Sequence, residues 1–351
     1  MKDGEGKVTI RDVARRAGVS IATVSRHMNR SGYVDPQTAA AVDAAVRETG
    51  YAPSMAAQGM RSGRTRMLLL VVPDIENPFY ALIAREAQRL AKERGYALVL
   101  YDSREGREEL PAVRLAQQMY ASGILLGSID VSPQVTEALA QSGIPLVGLN
   151  AYARCPFDTV HVQGSRGTYL AASHLLALGH REIAFAGGAP GSTIERSRLD
   201  GYRLALREAG IPPRARDVLE AGFSQEAGYQ AGVYFSRLSP MPTAICCAND
   251  QIALGVLRAL REAGVPVPER VSVTGMDDIP YARVSGPALT TVTNDGAAFA
   301  QKGMRLLFER IEGGYAGEPR EESVSHELVV RASTAAPEGE LKRRRPYVHT
   351  V

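Results

Sequence analysis

Residues 9–29 read TIRDVARRAGVSIATVSRHMN, and their spacing decides the architecture of the amino-terminal part. Thr9 can cap a helix, and Ile10, Val13 and Ala14 follow at i, i+3 and i+4 as one apolar face. Gly18 falls where two helices need a tight turn. Ser20 can then cap a second helix that buries Val24 and Met28, four residues apart. Two short helices around a Gly-containing turn form a helix-turn-helix, whose second helix enters the major groove of duplex DNA.

The outward residues of that second helix are Ile21, Ala22, Ser25, Arg26 and Asn29. Arg26 can donate two parallel hydrogen bonds to guanine O6 and N7, while Ile21 and Ala22 offer apolar contact to a thymine methyl. Thr23, Ser25 and Asn29 are short side chains suited to phosphate oxygens, which fix register. The caps Thr9 and Ser20 complete the expected DNA-binding set, and His27, on the same helix, can also face DNA. A plain helical hairpin is the bland alternative; the Gly position, both caps and a basic balance together argue against it. A third helix follows, with Asp35 as cap, Pro36 at its first position, Val42 and Val46 on one face and Gly50 as stop. Ser54 opens a last segment, MAAQGMRSG, which is too short to be helical alone.

Charge follows the same division. Residues 1–66 hold 11 Lys and Arg against 6 Asp and Glu, and the rest holds 30 against 32. A basic head on a near-neutral body points to a polyanion partner for the head. The whole chain has 351 residues and a net charge of +3, a length that fits two or three domains. Its 45% hydrophobic and 23% charged residues exclude wholesale disorder. No apolar run reaches the ~18 residues of a membrane span, and MKDGEGKVTIRD lacks the apolar core of a secretory signal. A cytoplasmic protein with no membrane partner is expected. Cys155, Cys246 and Cys247 give neither a disulfide framework nor zinc-ligand spacing, so they read as reduced thiols, and no metal or cofactor is expected.

After Arg66 apolar runs alternate with amphipathic stretches. Strands are expected at 67–72, 97–102, 123–128, 145–150, 182–188, 244–249 and 271–277, and helices at 79–94, 166–178, 198–209, 250–263 and 297–311. Continuous apolar strands between helices imply parallel sheets covered on both faces, and so many units imply two α/β subdomains. Ligands of such sheets bind outside the carboxyl ends of the strands. The loops there include Asp74, Asn77 and Asp130, carboxylates and an amide of the kind that hold hydroxyl groups.

The head, the segment YAPSMAAQGMRSGRTR, and the body motifs PDIENPFY, LALGHREIAFAGG, SRLDGYRLAL, CANDQIALGVLRAL, VTGMDD, LTTV and VVRAST resemble the LacI/GalR family of bacterial transcription regulators. The likeness runs from Lys7 to about Pro337. It implies a helix-turn-helix domain at 8–53, a hinge at 54–63 and a periplasmic-binding-protein-like core at 64–335, with a basic tail at 336–351. Within the core the resemblance places three chain crossings between subdomains near 163, 293 and 324. One departure stands at the first crossing, where Gln163-Gly164 replaces the family's Asp-Asn pair. The family's hinge wedges a leucine into the minor groove; Met60 holds that position here, with the small residue Ala57 one turn earlier.

By the same resemblance Arg198, Asn249, Asp277 and Phe223 match ligand-binding positions, and Phe79 and Tyr80 lie where first-subdomain contacts fall. Each has a structural alternative: Arg198 can pair with Glu195, Asn249 can cap the next helix, and Phe223 and Phe79 can be core. The implied partners are palindromic operator DNA, a small effector, most simply a sugar, and a second copy of the chain, since the tail lacks leucine heptads for a tetramer. An enzyme is the first rival, but GGAPGST lacks the P-loop Lys, and neither HExxH nor GxSxG occurs. A secreted sugar-binding protein is the second, and the missing signal and the complete head argue against it; a cytosolic sugar- or nucleoside-binding protein without a DNA role is the remaining alternative. A sugar-switched repressor is the expected function.

Overall fold

The computed structural model describes residues 8–29, 32–51, 64–104, 107–127, 131–149 and 155–338. The chain divides into two units, Met1–Thr65 and Arg66–Val351. In the first, the described residues form α1 (Ile10–Ala17), α2 (Ile21–Asn29) and α3 (Pro36–Thr49). Asp12 completes the first cap, because its carboxylate accepts from the Thr9 N–H at 3.0 Å and from the Thr9 hydroxyl at 2.7 Å. Gly18 ends α1 at φ +67°, a left-handed conformation that costs glycine nothing. Ser20 accepts from the Thr23 N–H at 3.1 Å, and Asp35 from the Thr38 N–H at 3.1 Å. Val13, Val24 and Val42, one from each helix, meet in a core with no exposure. Burying each stabilises by roughly 1.5–3 kcal/mol, so truncating Val24 would open the small core at its centre.

The second unit begins with β1 (Met67–Val72), whose alternation explains why the sheet is covered on both faces. Leu68, Leu70 and Val72 pack with Phe79 and Ile83 of α4 (Pro78–Glu93) and with Phe299 and Met304 of α12 (Gly296–Ile311). Leu69 and Val71 point the other way, onto Ala112 and Val113 of α5 (Glu109–Gln118) and Leu139 of α6 (Pro133–Ser142). The first sheet runs β11 (Glu321–Val324), β5 (Asp158–Val162), β4 (Leu146–Leu149), β3 (Gly123–Gly127), β1, β2 (Ala97–Asp102), all parallel. The second runs β12 (Leu328–Val329), β10 (Thr290–Thr293), β9 (Ser272–Asp277), β8 (Ala244–Cys247), β6 (Ile183–Gly187), β7 (Val218–Glu220). It is parallel except for β12, which runs antiparallel to β10. Around it lie α7 (Gly164–Ala177), α8 (Thr193–Glu208), α9 (Gln225–Ser236), α10 (Asp250–Glu262) and the short α11 (Pro280–Val284).

All seven expected strands are present; 67–72 and 97–102 match residue for residue, and the others end one or two residues earlier or start one later. The chain leaves the first sheet after β5 at Gln163, returns after β10 through Asn294-Asp295, and leaves again after β11 through Ser325–Glu327. The outer strand β11 is pinned by charge. Asp158 on β5, 1% exposed, accepts from the Arg310 Nη2 at 2.7 Å and from the Arg320 N–H and Nη2 at 2.8 Å each. Burial alone would raise the Asp158 carboxyl, but the two guanidinium groups hold it below the usual carboxylate range.

Candidate functional site

On the head, α2 offers Ile21, Ala22 and Arg26 to solvent, with Thr23 and Ser25 half-buried beside them. Two of the expected DNA contacts, Thr9 and Ser20, are engaged as caps. His27 does not face outward as expected. Its Nε2 lies 2.7 Å from Asp43 Oδ1 of α3, so it fixes the angle between two helices. The Asn29 side chain, Ala57 and Met60 lie outside the described residues.

In the second unit the candidate ligand residues gather where β6, β8 and β9 end. Arg198 on α8 is 4% exposed; its Nη2 lies 3.9 Å from Asp277 Oδ1 and its Cζ 5.5 Å from the centre of the Phe223 ring. The helix partner expected as an alternative, Glu195, is not within ion-pair distance among the described residues. Asp277 stands at φ +119° and Asp278 at φ +50°, so β9 ends in a strained turn that presents the carboxylate. Asn294, at the second crossing, donates to Asp277 Oδ1 at 3.2 Å. Burial pushes the Asp277 carboxyl up to about 6, with Arg198 and Asn294 pulling the other way.

Asn249 does what a cap does and more. Its Oδ1 accepts from the Ile252 N–H at 2.8 Å, and its Nδ2 donates to the Phe223 carbonyl at 3.1 Å, holding the Phe223 loop. The Phe223 ring lies directly on Gly188, where an added Cβ would come within 2.0 Å of it. Beneath this cluster sits Asp250, which the sequence did not single out. It accepts from the Thr291 hydroxyl at 2.6 Å and the Ile279 N–H at 2.9 Å, and so clamps the loop carrying Asp277. Burial, and next the neighbouring Asp277 charge, drive its carboxyl well above the usual range.

The first-sheet candidates are less unified. Asp74 accepts from the Glu76 N–H at 2.8 Å, and Asn77 caps α4 through the Phe79 N–H at 3.0 Å. Phe79 takes the core alternative: it is 3% exposed and packs edge-on against Phe299. Tyr80 is half-buried beside Gly127, at the end of β3. Asp130 lies outside the described residues. Gln251 of α10 reaches the Glu76 carbonyl at 3.4 Å and joins the two halves of the unit. A cleft of about 930 Å³ opens at the three crossings, lined among others by Gln163, Asp277, Asn294, Glu327 and His326. His326 lies across the crossings themselves, with Nδ1 2.8 Å from the Thr293 carbonyl and Nε2 3.1 Å from that of Gln163.

Residues 9–54 match the model of bacterial regulatory proteins of the lacI family, and residues 172–334 that of the periplasmic binding protein-like domain. The HTH-type transcriptional regulator DegA of Bacillus subtilis (strain 168) is 34% identical over 335 residues, covering 94% of this chain and 98% of that protein. The chain belongs to the lacI family of bacterial regulatory proteins. It is a DNA-binding transcription regulator with a helix-turn-helix head and a periplasmic-binding-protein-like core. Among solved structures of the family, the lac repressor dimer bound to operator and the anti-inducer ONPF is 29% identical with a TM-score of 0.80, covering 94% of this chain and 99% of that one. The complex of the regulator CelR with cellobiose is 31% identical with a TM-score of 0.71, covering 93% and 99%.

Proposed function

We propose that this regulator is a cytoplasmic homodimeric repressor that binds a palindromic operator and is switched by a sugar held between the two halves of its core. The observation that carries the reading is the Arg198–Phe223–Asp277 cluster. A guanidinium, an aromatic face and a carboxylate converge at the ends of neighbouring parallel strands, as a polyhydroxylated ring requires. Asn249 and Asp250 act behind them, fixing the Phe223 and Asp277 loops. Asp74, Asn77 and Tyr80 stand on the first-sheet side, and Asp130 is proposed to join them. Kinship with a regulator crystallised with cellobiose and with a repressor dimer on its operator supports both the ligand class and the dimer. On the head, Arg26 reads bases, Ile21 and Ala22 make apolar contacts, and Thr23, Ser25 and Asn29 hold phosphates.

A gel shift with the promoter region beside the gene, with and without a panel of sugars, tests this reading. The full chain should retard the fragment, a chain lacking residues 1–65 should not, and one sugar should change the retardation. Retardation by the truncated chain, or indifference to every sugar and nucleoside tried, would overturn it.

A further inference from the structure

Among the described residues five buried side-chain polar atoms have no hydrogen-bond partner, and three of them surround the ligand cluster: Glu195 Oε1, Arg198 Nε and Asn294 Oδ1. Buried polar groups are almost always paired, so orphans collected in one place mark where a ligand supplies the missing half. Glu195, in the first turn of α8, has no exposure at all. Its Oε2 accepts from the Gly188 N–H at 2.6 Å, while Oε1 lies against Gly187, whose missing side chain leaves the room it occupies.

The inventory of these atoms is one-sided. Glu195 and Asn294 need donors, and among the described residues Asp277 is met by the Asn294 amide and, at 3.9 Å, by Arg198. Among the described residues Arg198 is the one cation of the cluster; Arg85, Arg166, Arg283 and Lys302 line the cleft at the crossings, where Asp278 pairs with Arg283 and Glu322 with Lys302. A phosphate dianion brings only acceptors and two negative charges, which would leave Glu195 Oε1 unmet and set charge against Asp277. A hydroxyl does the opposite, accepting from Arg198 Nε while donating to Glu195 or Asn294. Resting on the sugar reading above, we propose that the site takes a neutral, donor-rich sugar and rejects its phosphate ester, and that Glu195 is the residue that enforces this choice. Burial raises the Glu195 carboxyl to about 7, with the Gly188 N–H and the Arg198 charge pulling the other way.

Calorimetric titration of the full chain tests this with glucose, ribose, fructose, maltose and cellobiose beside glucose 6-phosphate, fructose 6-phosphate and ribose 5-phosphate. A neutral sugar should bind, and its phosphate ester should bind at least about tenfold more weakly. Glu195→Gln, which keeps the shape but not the charge, should weaken the neutral sugar by about tenfold and narrow the gap to the ester. A thermal melt of the variant separates a lost contact from a lost fold, and Glu195→Asp, which keeps the carboxyl, serves as the second variant. If an ester binds as well as its parent sugar, or if both variants bind the neutral sugar like the parent protein, the inference falls and the sugar reading stands. If no sugar on the panel binds, the sugar reading falls and takes the inference with it.

Discussion

Asp277 is 5% exposed, with Arg198 at 3.9 Å and the Asn294 amide at 3.2 Å, and its carboxyl titrates near 6. The folded protein therefore keeps this proton up to about 6, while the unfolded chain releases it near 3.8. The group's contribution to stability falls as pH rises through that window and is constant above it. Asp277→Asn removes that slope and relieves buried Asp250 of a like-charged neighbour, so its melting temperature at pH 7 should not fall. Sugar affinity should fall roughly 10–100-fold, the worth of one charge-assisted hydrogen bond, with operator binding intact. Equal loss of sugar and operator binding would mean that Asp277 supports the fold instead. On the head, Arg26→Ala should cost roughly 1–3 kcal/mol of base discrimination per half-site while weak, salt-sensitive binding persists. Unaltered preference for operator over scrambled DNA in a competition assay would remove Arg26 from the base readers. Arg198 and Asp277 were legible because their motifs stand intact in the sequence. Glu195 was not, since a glutamate in a first turn reads as a partner for the helix dipole or for Arg198. Only the packing of α8 on β6 turns it inward onto the Gly188 N–H.

The elements that the sequence concealed are those whose environment supplies what their residues lack. Strand β10 is TTVT, β11 is EESV and β7 is only three residues long; none carries the apolar run that exposes β1 or β3. Strand β11 exists because Arg310 and Arg320 bind Asp158 beside it, a contact spanning more than 150 residues of chain. Helices α5, α6 and α9 are short and rich in Ala and Gln, so their periodicity is faint. The resemblance places the crossings near 163, 293 and 324 but says nothing of what ties them. His326 can donate to the Thr293 and Gln163 carbonyls together only as an imidazolium, whereas burial lowers its pKa below the usual 6.5. The lowered pKa favours the neutral imidazole, which can donate to only one of the two carbonyls. His326→Leu removes the imidazole from the crossings, but the Gln163 carbonyl keeps the Arg166 N–H at 2.9 Å, so the expected loss is that of one hydrogen bond, about 0.5–1.5 kcal/mol by chemical denaturation. The parent should lose stability as pH falls below 6.5, because the unfolded chain takes up a proton that the folded one resists. The variant should lose less over the same range, and parallel pH profiles for the two proteins would refute this account of His326.

Charge and packing divide the whole molecule at the same place. The basic excess lies in residues 1–66, on a unit with its own core of Val13, Val24 and Val42, while both sheets and the ligand cluster belong to Arg66–Val351. Operator affinity and sugar affinity should therefore answer to different solvents. Each phosphate neutralised by the heads releases counterions, so a dimer making roughly 6–10 such contacts loses about 10³–10⁵ in operator affinity between 50 and 200 mM salt. A neutral sugar displaces no counterions from the cluster, and its affinity should hold within about twofold over that range. Removing residues 1–65 should likewise leave sugar affinity within about twofold, since the coupling of the two ligands, typically about 1–3 kcal/mol, exists only with DNA bound. That coupling is reciprocal. Whatever factor the sugar applies to operator affinity, operator DNA must apply to sugar affinity in the full-length chain, and to neither in the truncated one. Calorimetry of the sugar against full-length and truncated chains, with and without an operator duplex at two salt concentrations, reads all of these factors. A truncated chain that no longer binds the sugar, or a sugar affinity as steep in salt as operator affinity, would show that head and core are not separable. Equal shifts of the same direction in the full chain, absent from the truncated one, are what a linked switch requires.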